Sequence, residues 1–195
     1  MDKGLLIVIS GPSGVGKGTI CKELLKDFND IEVSVSATTR EPREGEIDGV
    51  NYYYKTKEEF KDMIDRDNFL EYAQVHGNYY GTPKKNVLEK LELGKNILLE
   101  IDIQGALKVK DEYPHGVFIF VVPPSMEELK NRIIGRGTET EDSIETRFNN
   151  AYEEMKFINK YDYGIINDKL ELAVEKIKCI ITAEKCKVSR ENYNI

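Results

Sequence analysis

The nine residues GPSGVGKGT, from Gly11 to Thr19, are where the chain first shows a chemical device. Gly11, Gly14, Gly16 and Gly18 carry no Cβ, so the backbone around Pro12, Ser13 and Val15 can curl until several N–H groups face one concavity. An apolar run before the loop predicts a buried strand, and the pattern after it predicts a helix. The helix N-terminus adds a partial positive charge, and Lys17 adds a full one. Those are the parts of a phosphate loop for a nucleoside triphosphate. The plainer reading is a glycine turn between strand and helix, which the full spacing with its lysine argues against. A serine or threonine usually follows that lysine and holds Mg2+. Here Gly18 stands in its place and the hydroxyl comes at Thr19, so Mg2+ is expected to rest on water, nucleotide oxygens and outer carboxylates. The loop alone specifies the donor, not the reaction.

The elements that must position this loop follow from hydrophobic patterning. Short apolar runs predict buried strands over 5–10, 96–102, 117–122 and 163–166. Helical spacing predicts helices over 17–26, 83–93, 104–110, 126–134, 141–160 and 170–185. Thr56 with Glu59, and Ser125 with Glu128, have the form that closes helix N-termini. Alternation of strand and helix argues for an α/β fold with a largely parallel sheet. Two stretches break the rhythm, the tyrosine-dense region from about residue 34 to 82 and the polar GRGTETEDSIETR at 135–147. Both are read as insertions over the carboxyl ends of the strands, where open α/β sheets place ligands.

Composition narrows the partners. With 195 residues, 40% of them hydrophobic, the chain can bury a real core as one unit. No apolar run approaches the roughly 20 residues that span a bilayer. The formal net charge of -7 argues against long nucleic acid as a partner, though a few converging arginines can still bind a small anion. Cys21, Cys179 and Cys186 form neither a disulfide framework nor a zinc pattern, which points to packing or surface thiols in a reducing cytoplasm.

SVSATTREPREGEIDGVNYYY, FLEYAQVHGNYYGT, LLEIDIQG and GRGTETEDSIETR, in that order after the loop, resemble the successive signature segments of the guanylate kinases. The resemblance spans nearly the whole chain. It implies a P-loop NTPase-type parallel sheet flanked by helices, with an inserted GMP-binding subdomain and a mobile lid. On that reading residues 1–195 form a single domain. Its core is 1–33, 84–125 and 157–195, its GMP-binding insertion 34–83 and its lid region 126–156. The implied reaction moves the γ-phosphoryl of ATP to GMP, giving ADP and GDP with Mg2+. Whether dGMP is also used, and the oligomeric state, stay open.

The resemblance also implies roles. Arg40 and Arg43 would grip the GMP phosphate, with Tyr52 and Tyr80 donating phenolic hydrogen bonds. The chemistry agrees, since guanidinium binds phosphate oxygens as a bidentate fork. Six of the 11 tyrosines fall between 52 and 80; Tyr53, Tyr54, Tyr72 and Tyr79 are read as packing for an insertion short of aliphatic residues. Base choice would rest on Glu71, Ser36 and Thr82, with Asp102 nearby. A carboxylate accepts from guanine N1–H and its exocyclic amine together, and a hydroxyl donates to O6. The alternative for Glu71 is a surface carboxylate. In LLEID, side-chain alternation puts Leu98, Glu100 and Asp102 on one strand face. Both acids are candidates for Mg2+, Glu100 through water; Glu100 paired with a nearby cation is the other reading. Arg132, Arg136 and Arg147 match the lid arginines that close on ATP and the moving phosphoryl, and Arg147 is also placed among the GMP-binding residues. For Arg132 the alternative is a charge at a helix C-terminus. Asn167 matches a residue near the adenine ring, with a turn or cap as its alternative.

Catalysis by such a site is alignment and charge neutralisation. The catalytic set is then Lys17, Arg43, Arg136 and Arg147, and the GMP phosphate, already anionic, needs no strong base. Two rivals compete. A guanylate-kinase-like binding module would be expected to lack the loop lysine and lid arginines, which this chain keeps. A kinase for another monophosphate is the second, since GKGT also resembles adenylate kinases.

Overall fold

The computed structural model describes residues 3–75, 77–134, 141–188 and 190. Arg136, one of the expected lid arginines, lies outside them. Strand β1 (Leu6–Ser10) is buried along its whole length, which is why it reads as an unbroken apolar run. It pairs in parallel with β7 (Asn96–Glu100) on one side and β8 (Val117–Val122) on the other. β2 (Ile31–Val33) and β9 (Tyr163–Ile166) complete a five-stranded parallel sheet in the order β2-β7-β1-β8-β9.

Alternation along β1 divides the core. Leu5, Ile7 and Ile9 face a cluster with Ile20, Leu24, Leu129, Val174 and Ile177. These come from α1 (Lys17–Leu24), α5 (Met126–Ile134) and α7 (Leu170–Lys185). Leu6 and Val8 face the opposite cluster with Val87, Leu91, Ala106 and Val109. Those belong to α3 (Lys84–Glu92) and α4 (Ile103–Glu112). Helices on both faces of a parallel sheet are the expected doubly wound arrangement. Among the described residues no helix is long and apolar enough to cross a membrane.

Between β2 and α3 the chain builds a second, four-stranded sheet in the order β4-β3-β6-β5. Its strands are β3 (Ala37–Thr38), β4 (Tyr53–Tyr54), β5 (Phe69–Val75) and β6 (Asn78–Pro83). Helix α2 (Lys57–Asp65) covers it and starts at a complete capping box between Thr56 and Glu59. The small core is aromatic, with Phe60 stacked on Phe69 at 4.4 Å and on Tyr79 at 5.4 Å. Tyr53 packs there too. Tyr54 and Tyr72 depart from the packing expectation. Tyr54 donates its hydroxyl to Glu46, and Tyr72 lies at the surface under the Lys108 ammonium.

The sequence reading leaves out β2 and sets several element ends differently, two of which matter for the site. β2 is only three residues long, too short for a periodic signal. Helix α6 (Glu141–Met155) stops five residues early, and a 3-10 turn at Ile158–Lys160 follows it. β7 ends at Glu100, so Asp102 is not on the strand with Leu98 and Glu100. Its carboxylate accepts from Gly105 N–H at 2.8 Å and caps α4 instead. Capping offers Asp102 a partner among N–H groups that a continuing strand would leave unmet.

Candidate active site

The loop that precedes α1 turns on Gly16, which caps the helix with φ 98 and ψ 22. That left-handed conformation is open to glycine at little cost. Lys17 folds over the loop, its ammonium donating to the carbonyls of Gly11 at 2.7 Å and Pro12 at 3.2 Å. Burial pulls its pKa below the ordinary lysine value, while Glu100, Glu154 and Asp102 draw it back up. Asn167 is buried, and its amide donates to Val15 O at 2.8 Å. Arg132 donates to Asn167 O at 3.1 Å and to Glu128 at 3.0 Å. The end of β9 therefore braces the loop, and Arg132 braces the end of β9. Arg147 is buried, with Nη2 donating to Ser13 Oγ at 2.7 Å. Two turns along the same helix, Glu154 accepts from Ser13 N–H at 3.4 Å. Burial raises the Glu154 pKa. Ser13 is thus held from two points on α6, a connection that no local pattern announces.

Gly18 answers to Glu100. A Cβ at position 18 would stand 3.3 Å from Glu100 Oε1 and 3.6 Å from Oε2. The carboxylate at the end of β7 occupies the space beside α1 that a serine or threonine side chain would enter. Thr19 is exposed on the next position.

Across from the loop, a cavity of about 210 Å³ lies between the parallel sheet and the second sheet. Lys17 lines it from the start of α1, and Glu100, Ile101 and Asp102 line it from the end of β7 and the turn after it. Ser36, Tyr52, Glu71 and Tyr80 line it from the insertion. Seven of the expected site residues thus meet around one space, though they come from distant segments. Tyr52 and Tyr80 contact edge to face at 6.1 Å, and the Arg40 guanidinium lies over the Tyr52 ring.

Glu71 is only 5% exposed. Its Oε1 accepts from Thr82 Oγ1 at 2.7 Å, and Thr82 is fully buried. Burial pushes the Glu71 pKa up to about 7, against the pull of that hydrogen bond. The surface reading of Glu71 is therefore excluded. Thr82 directs its hydroxyl at the Glu71 carboxylate and so holds that group in place, where donation to a purine O6 is the expectation from the sequence.

The arginines of the insertion are organised by a residue the sequence reading passed over. Glu46 takes the Arg40 guanidinium at 2.9 Å on both oxygens, the Arg43 N–H at 2.7 Å and the Tyr54 hydroxyl at 2.8 Å. Those donors, the Arg43 N–H foremost, hold Glu46 down at about 2. Arg43 is exposed and does not line the cavity. The signal for Glu46 was its place three residues after Arg43 in REPREGE, next to a glycine turn.

Comparison with known proteins agrees with this geometry. The profile of the family described as guanylate kinase matches residues 3–184. A guanylate kinase of Clostridium tetani is 65% identical over 190 residues, covering 97% of this chain and 91% of that protein. One of Clostridium acetobutylicum is 66% identical over 193 residues, covering 99% and 92%. The crystal structure of guanylate kinase from Anaplasma phagocytophilum superposes with a TM-score of 0.81 at 36% identity, covering 97% of this chain and 90% of that one. With that profile spanning residues 3–184 and relatives 65–66% identical over nearly its whole length, the chain belongs to the guanylate kinase family.

Proposed function

We propose that this kinase moves the γ-phosphoryl of ATP to GMP over Lys17, with the donor on the phosphate loop and the acceptor in the cavity beside Glu71. The observation that carries the reading is that one cavity is lined at once by Lys17 and by Glu71, Ser36, Tyr52 and Tyr80. A donor phosphate on the loop and a monophosphate in the cavity therefore meet in one space.

Loop N–H groups from Gly11 to Thr19 and the Lys17 ammonium bind the β- and γ-phosphates. Arg132 and Asn167 act on ATP through the loop, since their hydrogen bonds end on Asn167 O and Val15 O. Arg147, reaching the loop from α6, and Arg136 neutralise the moving phosphoryl together with Arg43. Arg40, Arg43, Tyr52 and Tyr80 hold the acceptor phosphate. Glu71 accepts from guanine N1–H and the exocyclic amine, with Thr82 fixing its carboxylate and Ser36 facing O6. Adenine would turn a lone pair toward the same carboxylate. Buried polar pairing of this kind discriminates by about 10⁴-fold.

An oxygen of the GMP phosphate attacks the γ-phosphorus, the bond to the β-bridging oxygen breaks, and ADP and GDP leave. Charge spreads over the transferring group, so the cations lower the barrier by matching it. The Mg2+ of this reaction class fits the residues present. Glu100 and Asp102 line the cavity beside Lys17, as suits an ion held by one or two carboxylates, water and nucleotide phosphates. Glu100, lying against Gly18, is the carboxylate that would orient its waters, with Asp102 second. The chemistry such an ion would supply is neutralisation of charge on the transferring phosphoryl group. Both insertions would close to exclude water. The free thiols of Cys21, Cys179 and Cys186 support a reducing compartment, the cytoplasm.

A coupled assay of ADP formation with GMP or AMP as acceptor tests the proposal. ADP should form with GMP, and Glu71→Gln should cut the preference for GMP over AMP. An unchanged preference would remove Glu71 as the base reader. ADP formation that ignores the acceptor would remove the reaction.

A further inference from the structure

We infer that Gly105, on the third residue of α4, is a specificity-positioning residue whose missing side chain makes room for the carboxylate of Glu71. This rests on the reading of Glu71 as the group that selects the purine. Helix α4 packs against β5, the strand that carries Glu71. At their contact Gly105 is buried. A methyl group on its Cα would overlap Glu71 Oε2 and stand 2.9 Å from Cδ and 3.2 Å from Cγ.

The carboxylate has no easy retreat. Its other oxygen is engaged by the Thr82 hydroxyl at 2.7 Å, and Thr82 is itself fully buried on the neighbouring strand β6. Asp102 faces Glu71 across the start of α4 and adds like-charge repulsion, while Lys108, one turn beyond Gly105, pulls the other way. Glu71 is therefore seated between a hydroxyl and a bare stretch of helix backbone. Gly105 uses its own N–H on the Asp102 cap, so it offers that N–H to no ligand. Its part is to define where the carboxylate stops.

Local preference does not explain the glycine. Its φ lies outside the left-handed region that favours glycine, and a helix interior prefers alanine to glycine. Close approach remains as the physical reason. The same helix turn thus serves both sides of the site, with Asp102 at the strand ends and the gap at Gly105 behind the purine.

Gly105→Ala, alone and with changes at position 71, tests this. Calorimetric titration of the purified protein with GMP should show binding weakened by about 10- to 100-fold, the scale for losing a hydrogen bond to a charged group. The KM for ATP should stay close to wild type. Glu71→Asp shortens the acid by one methylene, so it should weaken GMP binding in the wild-type background yet restore part of it in Gly105→Ala. A second readout is the denaturation midpoint. Gly105→Ala should lower it when Glu71 is present and raise it in a Glu71→Ala background, where the helix gains alanine and the three atoms nearest the new methyl are gone. If Gly105→Ala does not fold by itself, recovery of a folded protein in the Glu71→Ala background supports the same contact. Wild-type GMP affinity in Gly105→Ala, effects at 71 and 105 that simply add, or equal loss of GMP and ATP binding would each overturn the inference. Should Glu71→Gln change the preference for GMP over AMP while Gly105→Ala does not change GMP binding, the inference fails and the reading of Glu71 stands. Should Glu71→Gln leave that preference intact, the reading of Glu71 fails first.

Discussion

Replacing Glu71 by glutamine separates two consequences of burying a carboxylate in the cavity between the two sheets, one on stability and one on binding. Burial pushes Glu71 from the ordinary 4.5 up to about 7. Between those values the folded chain holds a proton that the unfolded chain has released, so stability falls as pH rises. The contribution is fully present below the unfolded value and is lost as pH passes through the folded one. At about 1.4 kcal/mol per pH unit, the whole window is worth about 3 kcal/mol. Glutamine keeps the shape and an acceptor for Thr82 but has no charge to desolvate. Urea unfolding of both proteins without nucleotide, at about pH 5 and about pH 8, measures the difference. The gain of Glu71→Gln over wild type should be about 2 to 3 kcal/mol larger at the higher pH. Binding runs in the opposite sense. Guanine donates two N–H groups, so GMP selects the ionised carboxylate, and affinity should rise toward pH 7. The GMP phosphate titrates nearby, at about pH 6, and Glu71→Gln supplies the baseline that isolates the carboxylate. A stability gain equal at both pH values would refute the reasoning, because it would mean that Glu71 is already ionised in the folded protein throughout.

Other perturbations probe the rest of the site. Lys17→Ala should lower kcat by about 10²- to 10³-fold, the cost of removing one preorganised charge donor, while calorimetry finds GMP binding largely intact; unimpaired turnover would remove the loop lysine from the mechanism. Gly18→Ala and Glu100→Asp should be coupled, because a Cβ at 18 would stand 3.3 Å from Glu100 Oε1. A double-mutant cycle on unfolding free energy should show the alanine better tolerated beside the shorter acid, with a coupling of about 0.5 kcal/mol or more. Thr56→Ala breaks the capping box of α2 and should cost about 1 kcal/mol in stability, with kcat unchanged in the coupled assay.

Much of the site could be read from the chain because its chemistry is local. The phosphate loop needs glycines, a lysine and a helix start within nine residues, and that pattern survives without any tertiary information. Arg40, Tyr52, Glu71 and Tyr80 were reachable only through the resemblance of whole segments, since a lone acid or tyrosine has no spacing to mark it. Asp102 shows the limit of a periodic argument. Alternation put it on a strand with Glu100, but helix capping ended the strand first. Glu46, Glu154 and Gly105 were missed because each acts on residues brought near by folding or by a turn of irregular backbone.

The order of strands and helices, the apolar faces and the triphosphate loop are properties of the sequence itself, because each depends on neighbours within a few residues. Tertiary structure alone decided which groups face one another. It set the Glu71 carboxylate between Thr82 and Gly105, fastened Ser13 to α6 through Arg147 and Glu154, and filled the space beside Gly18 with Glu100. Those contacts join residues far apart along the chain, and the burial that shifts Glu71 arises only when the two sheets close around it. Residue order can name a carboxylate, but desolvation and steric exclusion are properties of the space that the folded chain encloses.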